Sequence, residues 1–413
     1  MRIAVVGAGV SGIAAAYRLQ NDADVVLYEG QGRLGGHTDT HSVLVGGATH
    51  AVDSGFIVFN RENYPRFSSW LDELGVESQP SDMSFGVSNH ATGVEYGSRG
   101  FGALFCQRRN LVSPRFLRML TDLRRFYRDA IDYPLDETLS LGELLDRHGY
   151  GAGFIEDHIG PMCGALWSAA PDAALAIPAR HVIAFMTHHR MLQLDGRPQW
   201  RVIKGGSSTY VQVFLTHFTG EVRVADPVQT VSRTPSGVDI TSASGTTRFD
   251  AVVVACHSDE ALALLADPSE AERDVLGGIA YQPNRVVVHS DERVMPEHRA
   301  AWSSWNAVVD AEHPERCQVS YWMNLLQSLP GRENFFVTLN PRMPLERVWS
   351  VREYAHPVFN RRSRAAQRRK SEINGVRQTW YAGSYWGWGF HEDGFVSGVE
   401  VAEGMLGAVA DAA

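Results

Sequence analysis

The first 37 residues contain a glycine-rich motif with the spacing that opens a dinucleotide-binding βαβ unit. A short apolar run, Arg2–Val6, leads directly into the sequence GAGVSG at 7–12, and an alanine-rich apolar stretch follows it. A second apolar run ends at Glu29, twenty residues after Gly9. Strand, glycine turn, helix, strand and acidic residue are the order that such a unit requires. The sequence therefore predicts an α/β fold that begins with a nucleotide-binding turn.

The three glycines and the acidic residue of this motif each have a physical task. Gly7 permits the tight turn, Gly9 lets the backbone approach a pyrophosphate, and Gly12 lets helix and strand pack closely. The helix N-terminus then faces the diphosphate with free N–H groups. Glu29 is expected to accept hydrogen bonds from the adenosine ribose hydroxyls.

A second glycine pair follows within a few residues. Arg33, Gly35 and Gly36 follow Glu29 in the order E-x-x-x-R-x-G-G, and His37 comes next. An NAD site of this type does not need a second loop at the phosphates, so the pattern favours FAD. At this point the sequence resembles the flavin amine oxidase superfamily, which includes monoamine oxidases, phytoene-type desaturases and protoporphyrinogen oxidases. The family pattern ends in a second arginine, so His37 removes one charged phosphate contact and leaves the backbone cradle.

The resemblance returns in the middle and at the end of the chain. The glycine pair at 205–206 resembles the family's re-entry into the FAD domain, and residues 380–402 resemble its closing flavin-binding segment. The motif and the resemblance together imply that FAD is the cofactor. The FAD contacts that they imply are Gly7, Gly9, Val10, Ser11, Gly12, Glu29, Gly30, Arg33, Gly35, Gly36, His37, Asp53, Gly55, Phe56, Val228, Gly383, Ser384, Phe395 and Val396.

The resemblance also implies the domain organisation. The expected fold is α/β, with a Rossmann-like FAD-binding domain of the monoamine-oxidase type and an inserted α+β substrate domain. With 413 residues, of which 44% are hydrophobic, the chain can bury cores for both domains. The FAD-binding domain is predicted at 1–80, 200–280 and 370–413, and the substrate domain at 81–199 and 281–369.

Charge and cysteine usage limit the partners and the compartment. The formal charge of −9 argues against nucleic acid as a partner. Four widely separated cysteines, Cys317 among them, form no CxxC and no metal-like pair, so we expect reduced thiols and no metal. The chain enters a strand at once and has no apolar run of membrane-spanning length. These features predict a soluble, cytoplasmic protein.

The segment 101–133 alternates large apolar residues with seven arginines. One interpretation is an amphipathic helix that packs on the core and presents a solvated basic face. The other is a basic amphipathic segment that contacts anionic lipid at a membrane surface or guides an acidic amphiphile. Both interpretations remain open at the level of sequence.

The absence of a second nucleotide motif bears on the direction of electron flow. No other GxGxxG follows a strand and precedes an acid, so we expect the organic substrate to supply electrons and oxygen or a carrier to receive them. Related amine oxidases often use a lysine on a late strand of the substrate domain. Lys204 and Lys370 are the only lysines, and neither fits that position. This favours desaturation of an apolar, fatty-acyl or lipid substrate by hydride transfer to flavin N5.

The closing segment supplies the catalytic candidates. Phe390 takes an aromatic position that flanks the substrate in the family, and His391 and Glu392 lie beside the flavin-contacting turn. Either could remove the proton that accompanies hydride transfer, or both could be hydrogen-bonded turn residues that fix the last helix. Amine oxidation within an aromatic cage and redox-neutral isomerisation on FAD are the alternative functions.

Overall fold

The computed structural model describes residues 1–136, 138–167, 169–310, 312 and 318–412. A five-stranded parallel sheet contains the strands of the N-terminal motif at its centre. Its strands, in spatial order, are Glu221–Val224, Asp24–Glu29, Arg2–Val6, Ala251–Val254 and Thr379–Tyr381. The predicted α/β fold with a Rossmann-like unit is confirmed. Cys317 lies outside the described residues.

Alternation along the central strands explains how both faces of this sheet are covered. Ile3 and Val5 pack with residues of the helices Val10–Leu19 and His391–Ala412 on one face. Ala4 and Val6 pack on the other face against a three-stranded antiparallel sheet. The strands of this second sheet are Val228–Thr234, Gly237–Ser242 and Gly245–Phe249. Side chains of alternate residues point to opposite faces, so one apolar run serves two cores.

A mixed seven-stranded sheet, called the roof sheet below, forms a separate layer. Among the described residues, one strand pair is parallel, Trp305–Val309 with Phe85–Asn89, and the others are antiparallel. Its strands, in spatial order, are Val348–Pro357, Tyr281–His289, Phe336–Leu339, Gln318–Trp322, Trp305–Val309, Phe85–Asn89 and Val94–Gly97. All of these strands fall in the ranges predicted for the substrate domain. The division into two domains stays a prediction.

Two small sheets and the remaining helices complete the architecture. The small sheets pair Thr40–Val45 with Ala48–Asp53, and Arg201–Ile203 with Val58–Phe59 and Ser78–Pro80. The remaining helices are Pro65–Glu73, Phe101–Leu104, Pro114–Asp129, Leu141–Arg147, Ala152–Phe154, Gly160–Trp167, Pro171–Leu175, Ala179–His188, Ser208–His217, Ser258–Leu264, Glu270–Leu276, Met323–Leu326 and Arg361–Arg368. Within the described ranges, no helix is both long and apolar enough to cross a membrane.

The arginine-rich segment folds around the helix Pro114–Asp129, which Ser113 caps by accepting a hydrogen bond from the Phe116 N–H. Phe116 and Phe126 are buried in a core of neighbouring helices. Arg115 pairs with Asp157 at 2.7 Å, and Arg125 pairs with Asp122 at 3.1 Å. The packed amphipathic helix of the first interpretation is therefore present, and part of its basic face is neutralised within the protein.

Candidate active site

A cavity of about 1490 Å³ lies between the two large sheets. Val6, Glu29 and Ala255, at the carboxyl ends of parallel strands, line one side, and Trp305 and Tyr321 of the roof sheet line another. Ligands of open α/β sheets bind outside the carboxyl ends of the strands. A single small-ligand pocket measures roughly 300–1,000 Å³, so this cavity has room for a cofactor and a substrate.

The first glycine loop lines the nucleotide end of the cavity. Gly7 has a positive φ of 99°, and a Cβ on it would lie 2.9 Å from the Ala255 carbonyl oxygen. A Cβ on Gly12 would lie 1.8 Å from the Gly7 oxygen, so Gly12 serves packing and does not line the cavity. Gly9 differs from both. A Cβ there would meet no protein atom within 4 Å, so the protein's own packing does not require glycine at this position.

Glu29 is held in place by the backbone of both flanking loops. Its carboxylate accepts hydrogen bonds from the N–H groups of Ala8 at 3.1 Å and Gln31 at 2.8 Å. The side chain is buried yet lines the cavity. Its remaining lone pairs are suited to a ligand hydroxyl, as predicted for the ribose.

The second glycine loop is fixed by Arg33. The guanidinium donates to the carbonyl oxygens of Thr38 at 3.0 Å and Gly36 at 2.9 Å, and its Nη2 lies 3.1 Å from Asp39. Arg33 was expected to reach the phosphates directly. It lines the cavity, but most of its donors hold the loop together. A Cβ on Gly36 would lie 3.1 Å from the Gly9 Cα, so the two loops cross closely at their glycines.

The structure brings most of the predicted site residues together around this one cavity. Those that line it are Gly7, Gly9, Val10, Ser11, Glu29, Gly30, Arg33, Gly35, Gly36, His37, Gly55, Phe56, Val228, Ser384, Phe390 and His391. Those that lie outside its lining are Gly12, Asp53, Gly383, Glu392, Phe395 and Val396.

Asp53 joins three parts of the chain instead of lining the cavity. Its carboxylate accepts hydrogen bonds from the Ser207 N–H at 2.9 Å, from Thr40 Oγ1 at 2.5 Å and from Gln327 Nε2 at 2.7 Å. Burial raises its pKa to about 7. The carboxylate therefore positions the neighbouring Gly55 and Phe56, which do line the cavity.

Glu392 was predicted as a candidate base beside His391, but the structure gives it another role. Its two oxygens accept hydrogen bonds from the N–H groups of Arg66 and Phe67, both at 3.0 Å, and so cap the helix Pro65–Glu73. The alternative interpretation, a hydrogen-bonded turn residue, describes Glu392. Phe395 is likewise structural, because its ring is buried 5.1 Å from the ring of Trp70. Gly383 donates its N–H to Ser397 Oγ at 3.1 Å.

His391 is part of a buried polar chain. Its Nε2 lies 2.9 Å from the Tyr210 hydroxyl, which lies 2.7 Å from Thr38 Oγ1. The imidazole stacks on Phe56 with ring centroids 3.6 Å apart. Burial lowers the pKa of His391 to about 3, so the ring is neutral at physiological pH.

Three more histidines lie together in the cavity wall. The ring of His37 lies 5.4 Å from that of His356 and 5.6 Å from that of His257. Burial, together with the neighbouring imidazoles, lowers the pKa of His37 well below its usual value. No group of three or more His, Cys, Asp or Glu side chains in the described ranges has the arrangement of a metal site.

One set of lining residues, called the aromatic end below, is mainly apolar. It is built from the segments 81–85, 162–167 and 185–200, together with roof-sheet and closing-segment residues. Its lining residues are Ser81, Met83, Phe85, Met162, Ala165, Leu166, Trp167, Phe185, His189, Met191, Arg197, Pro198, Gln199, Trp200, Trp305, Tyr321, Phe359, Trp388, Gly389 and Phe390. None of these residues is an aspartate, a glutamate or a lysine.

His189 also lines the cavity, although no sequence motif marks it as a site residue. Its Nδ1 lies 3.1 Å from the Phe185 carbonyl oxygen, which can only accept. The proton must therefore sit on Nδ1 when the ring is neutral, which leaves Nε2 as an acceptor. Burial lowers the pKa of His189 to about 4. The i, i+4 spacing of Phe185 and His189 was the available signal, because it places both residues on one helix face.

The family model described as flavin containing amine oxidoreductase matches residues 10–302. The chain belongs to this family. A Mycobacterium tuberculosis protein assigned as the flavin-containing monoamine oxidase AofH is 25% identical over 286 residues, which cover 64% of this chain and 59% of that relative. The matched part thus spans about three-fifths of that relative's length.

Two solved structures share the fold over nearly the whole chain. Cyclohexylamine oxidase from Brevibacterium oxydans is 15% identical, with 99% of each chain covered and a TM-score of 0.70. A fatty acid isomerase from P. acnes that produces CLA is 14% identical, with 97% of this chain and 98% of that chain covered and a TM-score of 0.70. At such low sequence identity, the structural similarity establishes the fold and not the activity.

Family membership identifies FAD as the cofactor and oxidoreduction as the class of chemistry, as the sequence predicted. The residues at the nucleotide end fit this cofactor. Gly9 presents bare backbone to the cavity, and Glu29 presents a buried carboxylate. These two features match what a pyrophosphate and a ribose require.

Proposed function

We propose that the protein dehydrogenates an apolar, fatty-acyl-type substrate, with FAD bound along the two glycine loops as the hydride acceptor. The composition of the aromatic end supports this most strongly. Aromatic and aliphatic side chains dominate the residues named for it, and none of those residues is an aspartate or a glutamate. The carboxylates elsewhere in the described cavity lining belong to Glu29, Glu260 and Glu353. An apolar chain gains free energy on entering the aromatic end, at about 25 cal/mol per Å² of apolar surface removed from water.

Bound FAD supplies an electron-pair acceptor for a hydride from a substrate C–H bond. Loss of that hydride would be matched by loss of a proton from the adjacent carbon to a base of the protein, which would leave a carbon–carbon double bond. An external acceptor, dioxygen or a carrier, would take up the electron pair. The protein must hold the reacting carbon still and exclude water. Trp167, Phe185 and Phe390 are suited to this task, because all three line the aromatic end.

His189 is the residue that we assign to accept the proton. It lines the aromatic end, and its Nδ1 hydrogen bond to Phe185 leaves Nε2 as an acceptor. His391, the sequence-based candidate, has its Nε2 engaged by Tyr210, so we assign it a positioning role against Phe56. The reaction then needs no carboxylate base, consistent with the capping role of Glu392.

Amine oxidation is the competing function, because the family includes amine oxidases and Trp388 and Phe390 both line the cavity. The two lysines argue against a lysine-assisted mechanism. Lys204 pairs with Glu77 at 2.8 Å and Lys370 with Glu400 at 3.0 Å, and neither lines the cavity. Redox-neutral isomerisation of an unsaturated chain would suit the same apolar cavity.

Mass spectrometry of the products separates these functions. Holoenzyme is incubated in air with a panel of unsaturated and methyl-branched fatty acids and with amines of matched chain length. Dehydrogenation removes one pair of hydrogens from the acid, and isomerisation leaves its mass unchanged. Loss of nitrogen from an amine, with the acids untouched, would replace the proposed function by amine oxidation.

We also propose that the protein contacts anionic lipid through a surface built from 101–124. Phe101 and Val112 on this surface are 71% and 79% exposed, and Leu111 and Leu117 are also exposed. Arg108 and Arg124 are exposed beside them, with no ion-pair partner among the described residues. Exposed apolar side chains beside unpaired arginines are typical of peripheral membrane contacts. This location would give the enzyme direct access to acyl chains.

Charge reversal at Arg108 and Arg124 tests this surface. Each arginine near an anionic membrane contributes about 1 kcal/mol, so Arg108→Glu with Arg124→Glu should weaken binding to phosphatidylserine vesicles more than ~10-fold. Arg125 is left intact because it pairs with Asp122 and stacks on Tyr150 at 3.9 Å. Vesicle co-sedimentation measures the effect, and Arg332→Glu, at an exposed site elsewhere, is the matched control. Equal vesicle binding by the double variant and the wild type would contradict the proposed lipid contact.

A further inference from the structure

Three arginines line the cavity among the described residues, and Arg197 is the one that belongs to the segments of the aromatic end. The other two, Arg33 and Arg352, form ion pairs with Asp39. Arg197 belongs to the turn that follows the helix Ala179–His188, and it is exposed while it lines the cavity. Its guanidinium therefore lies where the aromatic end meets solvent. This position is the mouth through which an apolar chain would enter.

The turn holds the guanidinium in place without neutralising it. Nε donates to the Gln193 carbonyl oxygen at 2.8 Å, and Nη2 lies 3.3 Å from the Met191 oxygen and 3.4 Å from the Tyr127 hydroxyl. The charge also lies over the Tyr127 ring, 5.9 Å from its centroid. Across the described ranges, no carboxylate forms an ion pair with Arg197. Its positive charge thus remains available, with Nη1 free of any partner in those ranges.

The turn that carries Arg197 contains two residues with left-handed backbone. Arg190 adopts a left-handed φ of 50° and Gly196 a φ of 67°, so the chain reverses tightly between them. A non-glycine residue with positive φ carries a conformational cost that the surrounding structure must offset. Gln199, the next polar lining residue, donates its amide N–H to the Ser81 carbonyl oxygen at 3.1 Å. The mouth therefore has a fixed arginine beside a fixed amide.

We infer that Arg197 binds the anionic head of the substrate, so that the substrate is an amphiphile with a carboxylate at the mouth and an apolar chain in the aromatic end. This inference rests on the proposed function and narrows its substrate class. A guanidinium binds a carboxylate with directed, charge-assisted hydrogen bonds. The same charge repels an ammonium head. Arg197 thus selects acids over amines of equal chain length. The arginines of 101–133 do not line the cavity, so they do not contact the substrate there.

Binding of three ten-carbon probes tests the inference. Decanoate, decanol and decylamine are each titrated into holoenzyme, and the change in the flavin absorbance spectrum gives Kd. Wild type should bind decanoate most tightly, and its Kd should rise with added salt because exposed charge contacts are screened. Arg197→Gln should raise the Kd for decanoate about 3- to 10-fold and Arg197→Glu more than ~10-fold, while decanol binding changes less than ~2-fold.

Arg332→Glu is the matched control, since Arg332 is exposed, lies outside this turn and does not line the cavity. It should bind decanoate as wild type does. Flavin content of each variant reports whether the fold and the FAD site are intact. If Arg197→Glu binds decanoate as tightly as wild type, Arg197 does not bind the head group. The proposed dehydrogenation of an apolar substrate is not affected by that result. If decylamine binds more tightly than decanoate and decanol, the proposed function fails as well.

Discussion

Gly9→Val is expected to give a folded, colourless protein. Gly9 has an extended backbone, with φ −74° and ψ −178°, that any residue can adopt. A Cβ there meets no protein atom within 4 Å, so the protein's own packing leaves space at this position. The valine side chain would project into the cavity where the two glycine loops cross, and exclude the pyrophosphate. We expect FAD affinity to fall at least ~100-fold, or about 2.8 kcal/mol.

Flavin absorbance after reconstitution with FAD measures this loss, and thermal unfolding of the apoproteins shows that the fold survives. Gly102→Val is a matched control, because a Cβ on Gly102 also meets no protein atom within 4 Å and Gly102 lies outside the cavity lining. This control should bind FAD like the wild type. Wild-type FAD affinity in Gly9→Val would mean that the cofactor does not pass Gly9.

His189→Gln is expected to slow anaerobic flavin reduction by about 100-fold or more, the usual contribution of a positioned general base. Glutamine keeps polar atoms at this position but cannot accept a proton near neutral pH. His188→Gln is the matched control, because His188 is adjacent but does not line the cavity. Stopped-flow absorbance with an acyl substrate measures both rates. Equal slowing by the two substitutions would indicate a packing effect instead of proton transfer.

The pH dependence of the same rate gives an independent test. Burial lowers the pKa of His189 from 6.5 to about 4, so its imidazole is neutral and able to accept a proton above that pH. Wild-type flavin reduction should therefore fall as the pH drops through about 4 and should gain little above 6. Brief pH jumps limit exposure to acid. In His189→Gln the rate of flavin reduction should no longer fall near pH 4. If the rate of the variant falls over the same pH range as that of the wild type, another group causes the decrease.

The parts of the site that sequence reasoning located are those set by local geometry. The positive φ of Gly7 and the bare backbone of Gly9 follow from the turn itself, so the motif alone places them at the carboxyl ends of the strands. Glu29 follows because it ends the second strand. The fold class follows from the same unit, since a parallel sheet needs crossover helices.

The parts that it missed depend on packing between distant segments. Asp53 was predicted as an FAD contact, but it bonds instead to Ser207 and Gln327, which lie 154 and 274 residues away. Glu392 follows His391 directly, yet it caps a helix more than 300 residues earlier in the chain. Arg197 becomes significant only because its turn folds over the mouth of the cavity. No local pattern distinguishes such residues from ordinary polar ones.

The most direct test of an apolar acidic substrate is anaerobic titration of the holoenzyme, followed by the absorbance of the oxidised flavin. The substrates compared are long-chain fatty acids, unsaturated and methyl-branched, and primary amines of matched chain length. We expect at least one acid to bleach the flavin and the amines to leave it oxidised. Bleaching by the amines alone would contradict the account, and so would conversion of an acid to an isomer without any bleaching.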